Sequence, residues 1–451
     1  MEKTVLMIQA FSLRYRTSNK KILNNIHLQI TRGECVSIIG KTGSGKTTLL
    51  LAITGFVEKA EISGTIQVLP SQNRHLVGLI LQNPNTQLLS QTVGEEIAFG
   101  LENLCVPPYQ MKPMIINALN DVGLDIPINF KVKHLSMGQK YRLVIASQLV
   151  MSPGLILLDE PCGQLDQQGI DDLCQIILTL KKKGISFLIC EHHARKLRDI
   201  TDQFFEMNNH GNLFQINPPN DQADNNRYEK PADRSHLSEP IIQMQQVSIG
   251  FDHKKQVLSY FNATIYKGDI VAIYGKNGSG KTILLRSICG FIKPSKGKIS
   301  ICEHPPTPTK LRYKVGILFQ NPQKQLFETT VFKELSFQLR RIKIDVNTIP
   351  KRIQTILDQL GLTDTIHESP FKLSYGQKHL VAMASILVNR PEIIILDDPF
   401  AGIDREMAQK IIVALKQLNR DYHCTIIWTS HEIGLFQSFS TQTILTGLKD
   451  D

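Results

Sequence analysis

Eight consecutive residues, Gly40, Lys41, Thr42, Gly43, Ser44, Gly45, Lys46 and Thr47, put three glycines, two lysines and three hydroxyls in one short stretch. The arrangement recurs as Gly275, Lys276, Asn277, Gly278, Ser279, Gly280, Lys281 and Thr282, where Lys281 follows Lys46 by 235 residues. Glycines let successive backbone N–H groups converge on phosphate oxygens, and the partial positive charge of a helix N-terminus adds to their pull. Lys46 and Lys281 are therefore expected at the β and γ phosphates of ATP, and Thr47 and Thr282 at a magnesium ion. Thr48 and Ile283 come next and are expected to complete each nucleotide-binding stretch where its helix begins. Two apolar runs end in acids, LILLDE at Asp159 and Glu160 and IIILDD at Asp397 and Asp398. Asp159 and Asp397 are expected on the magnesium side, each delivered by a strand to the carboxyl edge of a parallel sheet.

These groups need a scaffold, and its elements are visible in both halves. A short apolar run, ECVSIIG or DIVAIYG, leads into each glycine stretch, and TTLLLAITG or TILLRSICG follows in helix-compatible spacing. A third apolar run, SFLIC or TIIWT, ends just before His192 and His431. Strand, loop and helix in this order predict a parallel α/β core of P-loop topology, present twice. IQAFSLRY and MQQVSIGF read as the first strand of each domain, and the second lies deep inside the chain, which argues against a signal peptide for the first.

A period near 235 residues is too long for a solenoid and matches one duplicated domain. The 451 residues then divide into a first domain over 1–207, a linker over 208–239 rich in Asn, Asp and Pro, and a second domain over 240–451. Hydrophobic residues make up 42% and charged residues 20%, which excludes wholesale disorder, and no uninterrupted run of about 18 apolar residues is present to span a bilayer. Eight cysteines show neither a CxxC pair nor framework spacing, so zinc and disulfides are not indicated and a reducing cytosol is expected. The formal charge of +10 fits a solvated basic surface or a location beside an anionic membrane.

LSMGQK and LSYGQK lie upstream of the acidic strand in each half and resemble the signature motif of ATP-binding cassette (ABC) ATPases. The glutamine loops LQNPNTQ and FQNPQKQ, the loops GQLD and AGID, and the terminal histidines extend the resemblance over nearly everything except the linker. It implies two tandem P-loop NTPase (ABC ATPase) domains, each a parallel-sheet core with an antiparallel β subdomain and a helical subdomain. Cassettes of that family dimerise head to tail, so each ATP lies between the P-loop of one and the signature of the other. One site would then combine Lys46, Thr47, Gln82, Asp159, Glu160 and His192 with Ser374, Gly376 and Gln377. The other would combine Lys281, Thr282, Gln320, Asp397, Asp398 and His431 with Ser136, Gly138 and Gln139. The family places both glutamines, Gln82 and Gln320, beside magnesium and both histidines at the γ phosphate; His193 has no counterpart, since Glu432 stands there, and is left out. Tyr15 and Phe251 match the place where the family stacks an aromatic ring on adenine, although either could equally be a core aromatic at a strand end. Met137 and Tyr375 replace the first glycine of the usual LSGGQ, while the contacting serine and second glycine remain.

Glu160 matches the family's catalytic carboxylate, whereas Asp398 is one methylene shorter, which withdraws the carboxylate by roughly 1.5 Å. Hydrolysis is therefore expected mainly at the Glu160 site, with the Asp398 site holding ATP, unless a shifted backbone restores the reach. QNPNTQLLSQTVGEEIAFGLENL and, less closely, QNPQKQLFETTVFKELSFQLRRI look like energy-coupling factor (ECF) ATPases. Those drive uptake of vitamins and transition-metal ions in prokaryotes, and this segment receives the coupling helices of a transmembrane subunit. The partners implied are that subunit, a small substrate-capturing membrane protein and the cytoplasmic membrane surface, with the two cassettes pairing within one chain and thiamine-related pyrimidines among the candidate substrates. Ile353, Ile356, Leu357 and Leu360 form an amphipathic stripe expected in the helical-subdomain core rather than on a partner surface. The rival is a soluble double-cassette ATPase acting on ribosomes or nucleic acid, which the short linker without a basic helical face opposes. A metabolic P-loop kinase is opposed by the paired signatures.

Overall fold

A computed structural model describes residues 4–16, 21–68, 77–192, 195–218, 239–252, 255–275, 278–342, 344–401, 403, 405–430 and 439–446. The chain divides into two compact units, Met1–Ala223 and Asp224–Asp451.

In the first unit, β1 (Thr4–Tyr15), β2 (Leu23–Thr31) and, after β3 (Cys35–Gly40) and α1 (Lys46–Thr54), β4 (Ala60–Val68) form an antiparallel sheet in the order β2-β1-β4. Then come β5 (Val77–Ile80), α2 (Val93–Asn103), α3 (Pro108–Asp121), α4 (Met137–Leu149), β6 (Leu155–Asp159), α5 (Gln167–Lys182), β7 (Ser186–Glu191), β8 (Gln203–Met207) and β9 (Leu213–Ile216). They complete a six-stranded sheet in the order β5-β6-β7-β3-β8-β9, parallel except for β9. The fully buried β6 and β7 read as continuous apolar runs because helices cover both faces of such a sheet. One core cluster lies between this sheet and the helices α2 to α5, and another between its opposite face, α1 and the antiparallel sheet.

The second unit repeats the plan. Its elements are β10 (Pro240–Asp252), β11 (Lys255–Tyr266), β12 (Ile270–Tyr274), α6 (Lys281–Ile288), β13 (Lys296–Ile301), α7 (Pro308–Leu311), β14 (Val315–Leu318), α8 (Val331–Arg341), α9 (Ile349–Leu360), α10 (Tyr375–Leu387), β15 (Ile393–Leu396), α11 (Arg405–Tyr422), β16 (Thr425–Ser430) and β17 (Gln442–Leu445). The antiparallel sheet runs β11-β10-β13 and the parallel one β14-β15-β16-β12-β17. Ile353, Ile356, Leu357 and Leu360 are buried on one face of α9, as their spacing predicts.

One boundary differs from the sequence expectation. Composition places 208–239 in a linker, yet Leu213–Ile216 pairs antiparallel with β8, from Met207 opposite Leu213 to Phe204 opposite Ile216. Asn208 makes the turn, its Oδ1 accepting from His210 N at 2.9 Å and Asn212 N at 3.0 Å. The asparagines that look like linker composition thus build a hairpin at the edge of the first sheet. Among the described residues, no helix is long and apolar enough to cross a membrane.

Candidate functional site

β3 carries the first chain segment into the glycine loop, and Gly43 and Gly45 take φ of 81° and 106°, a region that strains any other residue. Gly40 is required for a different reason: a Cβ there would stand 2.6 Å from Met207 O and 2.8 Å from Ser44 Oγ. α1 begins at Lys46, whose buried Nζ donates to Gly40 O at 2.7 Å and Lys41 O at 3.0 Å, closing the ammonium over the mouth of its own loop. Thr47 Oγ1 donates to Asp159 Oδ2 at 2.8 Å, while Asp159 Oδ1 is buried with no partner among the described residues. Burial, and after it the charge of Glu160, pushes the Asp159 carboxyl up to about 7. A desolvated carboxylate with an orphaned oxygen beside a hydroxyl is what a hard divalent cation would satisfy, so the residues present fit magnesium.

Glu160 sits at φ 48°, left-handed for a non-glycine residue, with its N–H donating to Cys190 O at 2.8 Å. The side chain turns into a ring of polar groups. Oε2 accepts from Gln82 Nε2 at 2.7 Å, and Oε1 stands 2.9 Å from His192 Nε2 and 3.6 Å from Lys46 Nζ. His192 Nδ1 lies 3.1 Å from Gly40 O, which ties the ring back to the glycine loop. Burial opposes a charged His192, but the hydrogen bond and charge of Glu160 outweigh it, and the imidazole pKa is raised. The fold thus brings Gln82, Glu160, His192, Lys46 and Asp159 together, two carboxylates set among hydrogen-bond donors.

In the second unit Gly278 and Gly280 take φ of 81° and 95°, and the buried Lys281 Nζ donates to Gly275 O. Ser279 Oγ pairs with Thr446 Oγ1 at 2.9 Å. Asp397 Oδ1 accepts from Thr282 Oγ1 and Thr429 Oγ1, both at 3.0 Å, and burial raises its pKa. Asp398 sits at φ 50°, its N–H donating to Thr429 Oγ1 at 2.9 Å. Gln320 is exposed and makes no side-chain hydrogen bond to a described residue, unlike Gln82. Lys276, Asn277 and His431 lie outside the described residues, as does the side chain of Phe251, the last residue but one of β10.

The signature serines open helices. Ser136 Oγ accepts from Gln139 N at 3.3 Å, and Gln139 Oε1 from Ser136 N at 3.0 Å, with Ser374 and Gln377 repeating both distances at α10. Each serine and glutamine thus form a capping box that starts the helix. Gly138 has open space where a Cβ would go, and Gly376 is buried. Met137 is accommodated by Asn85, whose Nδ2 stands 3.6 Å from its sulfur and whose Oδ1 accepts from Lys140 Nζ at 2.8 Å. Tyr15 ends β1 opposite Ala60 and packs, partly buried, against the core under the antiparallel sheet.

Three kinds of positioning residue escape motif reading. Gln87 accepts from Leu81 N at 2.8 Å and donates to Leu79 O at 2.9 Å, and Gln325 brackets Phe319 and Ile317 in the same way. Glu96 accepts from Leu89 N and Ser90 N at 2.9 and 2.7 Å, and Glu334 from Phe327 N and Glu328 N at 3.0 and 2.8 Å. Recurrence of both residues 238 positions apart was the available signal. Glu191 is buried, its Oε1 accepting from Cys162 N at 2.6 Å and its Oε2 from His192 N at 3.2 Å, so it joins the loop after Glu160 to the loop bearing His192. No repeat signal marks Glu191, since β16 ends in Ser430 at that register. Glu334→Ala should destabilise the second unit by about 2 kcal/mol, the range for hydrogen bonds to a charged acceptor. Its unfolding in urea measures this, and an unchanged midpoint would mean that water serves the two amides equally well.

A model of the ABC transporter family matches residues 23–163 and 258–401. An ABC transporter ATP-binding protein of Clostridium perfringens is 29% identical, aligned over 98% of this chain and 89% of its own length. Counterparts from Enterococcus faecalis and Methanosarcina acetivorans are each 29% identical, over 99% and 98% of this chain and 89% and 88% of theirs. Among solved structures, cbiO1 of Clostridium perfringens, part of the ABC transporter complex cbiONQ, is 30% identical with a TM-score of 0.43, covering 46% of this chain and 85% of that one.

Proposed function

Because this chain belongs to the ABC transporter family and carries two of its ATPase cassettes, we propose that it is the motor subunit of an ECF-type importer for a vitamin, vitamin precursor or metal ion. It would work at the cytoplasmic face of the membrane, with a separate transmembrane coupling subunit and a small membrane protein that captures the substrate. The observation that carries the coupling role is a pair of apolar side chains, exposed or only partly buried, at repeat-equivalent places beside each glutamine loop. Leu89 is 73% and Phe99 51% exposed in the first unit. In the second, Phe327 is 56% exposed and stacks edge-on against Phe337 at 4.8 Å. Around that pair a cavity of about 150 Å³ is lined by Tyr313, Ile317, Phe327, Phe337, Ile386 and Pro391. Apolar side chains held out on brackets such as Glu96 and Glu334 suit an inserted helix from another subunit better than water.

In the proposed cycle Lys46 and Lys281 exchange the loop carbonyls for β and γ phosphate oxygens. Thr47, Asp159 and Gln82 would hold a magnesium ion in the first site, and Thr282, Asp397 and Gln320 in the second; when bound, the ion neutralises charge on the transferring phosphate. Glu160 orients and deprotonates the attacking water, and His192, tied to Gly40 and Glu160, donates toward the γ phosphate. Ser374, Gly376 and the first-turn amides of α10 would close the first site from across the cassette pair, and Ser136, Gly138 and α4 the second. Nucleotide binding would then draw the cassettes together, and hydrolysis release them.

Purification in gentle detergent from native membranes tests the reading. Recovery of a polytopic subunit together with a small hydrophobic protein supports it, whereas ribosomes or nucleic acid without membrane protein would overturn the transport role and leave the ATPase intact. Leu89→Glu with Phe327→Glu should cut recovery of the polytopic subunit at least about tenfold, since a buried unpaired carboxylate costs several kcal/mol. The ATPase of the isolated chain should persist.

A further inference from the structure

One corner of the second unit differs in charge from the matching corner of the first. The side of α9, the end of α10 with the residues after it, and the end of α11 enclose a cavity of about 90 Å³. Arg352 and Arg390 both line it. Arg390 leaves α10 at φ 52° and lays its guanidinium over the Tyr422 ring, 4.4 Å from the centroid. Arg352 is half-buried, and its Nε has no hydrogen-bond partner among the described residues. Burial, and after it the neighbouring Arg390 charge, lowers the Arg352 pKa.

Neither arginine forms an ion pair with a described residue. Asp421 also lines the cavity, but its carboxylate accepts from Arg420 Nε at 3.2 Å. Gln359 and Gln417 bond to each other at 3.0 Å and give a neutral polar wall. At the same positions of the repeat the first unit has Met114 and Ser152 in place of the arginines, and Lys183 bonds Asp121 there at 2.6 Å. The first corner is charge-balanced within itself, whereas the second brings two guanidiniums to one cavity without a committed acid.

We propose that this corner binds a phosphate-class oxyanion, free or as a phosphomonoester, between Arg352 and Arg390. Guanidinium forks match tetrahedral oxyanions bidentately, and the orphaned Nε supplies a further donor. A space of about 90 Å³ holds roughly three waters by liquid volume, or one such ion. The exposed Tyr422 side leaves room for an ester substituent to extend outward. A bound ion would tie α9 to the segment after α10, whose Arg390 already lies over Tyr422 at the end of α11.

The test is calorimetric titration of the full chain with inorganic phosphate, then with glycerol phosphate, both glycine loops being saturated with ADP and magnesium. Arg390→Ser installs the residue that the first unit carries at φ 56°, so the backbone should tolerate it, and Arg352→Met does the same for α9. Wild type should show one phosphate site more than either variant, or at least about tenfold tighter binding. Equal isotherms for wild type and both variants would overturn the proposal. Should one variant fail to fold, the other still decides. Tighter binding of glycerol phosphate than phosphate would identify an ester as ligand, and the reverse order the free ion.

Discussion

Glu160→Gln should lower steady-state ATP turnover by about 10²–10³-fold, the range lost with a general base, while Asp398→Asn should lower it by no more than about threefold. The two residues share their backbone conformation, φ 48° and 50°, after equivalent strands. The shared φ adds no reach to Asp398, which is one methylene shorter, and a displacement on the order of 1 Å at a reacting group can cost about a hundredfold. The surroundings differ as well. Glu160 is set among Gln82, His192 and Lys46, while Gln320 stands exposed beside the second site.

Glutamine at 160 keeps the volume and can still bond Gln82, so ATP affinity should hold while turnover falls. The second site should then retain ATP over many turnovers of the first, and filter-bound nucleotide counted after removal of free ATP measures that. Equal losses of turnover from the two variants would sink the asymmetry. Both losses follow from single side-chain atoms, and neither needs the fold to change.

Local chemistry explains what could be read in the chain. Glycines at positive φ, apolar strands ending in acids and serine caps followed three residues later by glutamine are short-range devices, so β3, α1, β6, α4 and their repeats stand where their residues predict. Pairing across distance was harder to see. Leu213–Ile216 is four residues of mixed polarity, and only its register against β8 makes it a strand. Glu191 gains its place by burial behind two loops that meet although 29 positions apart in the chain. Gln87 and Glu96 were visible as repeats, but they bind only backbone, and residues without reactive partners do not draw attention to themselves. The Arg352 and Arg390 corner depends on three helices meeting, which spacing along one helix does not reveal.

The largest remaining effect concerns which signature serves which loop. If the proposed pairing within one chain is right, Ser374→Asp should lower turnover about 10²–10³-fold and Ser136→Asp only a few-fold, because an added carboxylate near the γ phosphate costs about 4 kcal/mol at 4 Å in an effective dielectric of about 20. Aspartate is as good an N-cap as serine and is favoured by the helix dipole, so neither α4 nor α10 should lose its start. Both serines are exposed in their own units, and the substitutions should leave each cassette folded. Ser374 would face the phosphate held by Lys46 and attacked through Glu160, whereas Ser136 would face the slower site at Lys281. The opposite order, with Ser136→Asp the more damaging, would mean that first cassettes of two chains pair with each other, and equal damage would mean that both sites must fire for either to turn over. Thermal unfolding of the two variants without nucleotide separates these outcomes from misfolding, since a lost cap would lower the midpoint before any ATP is added.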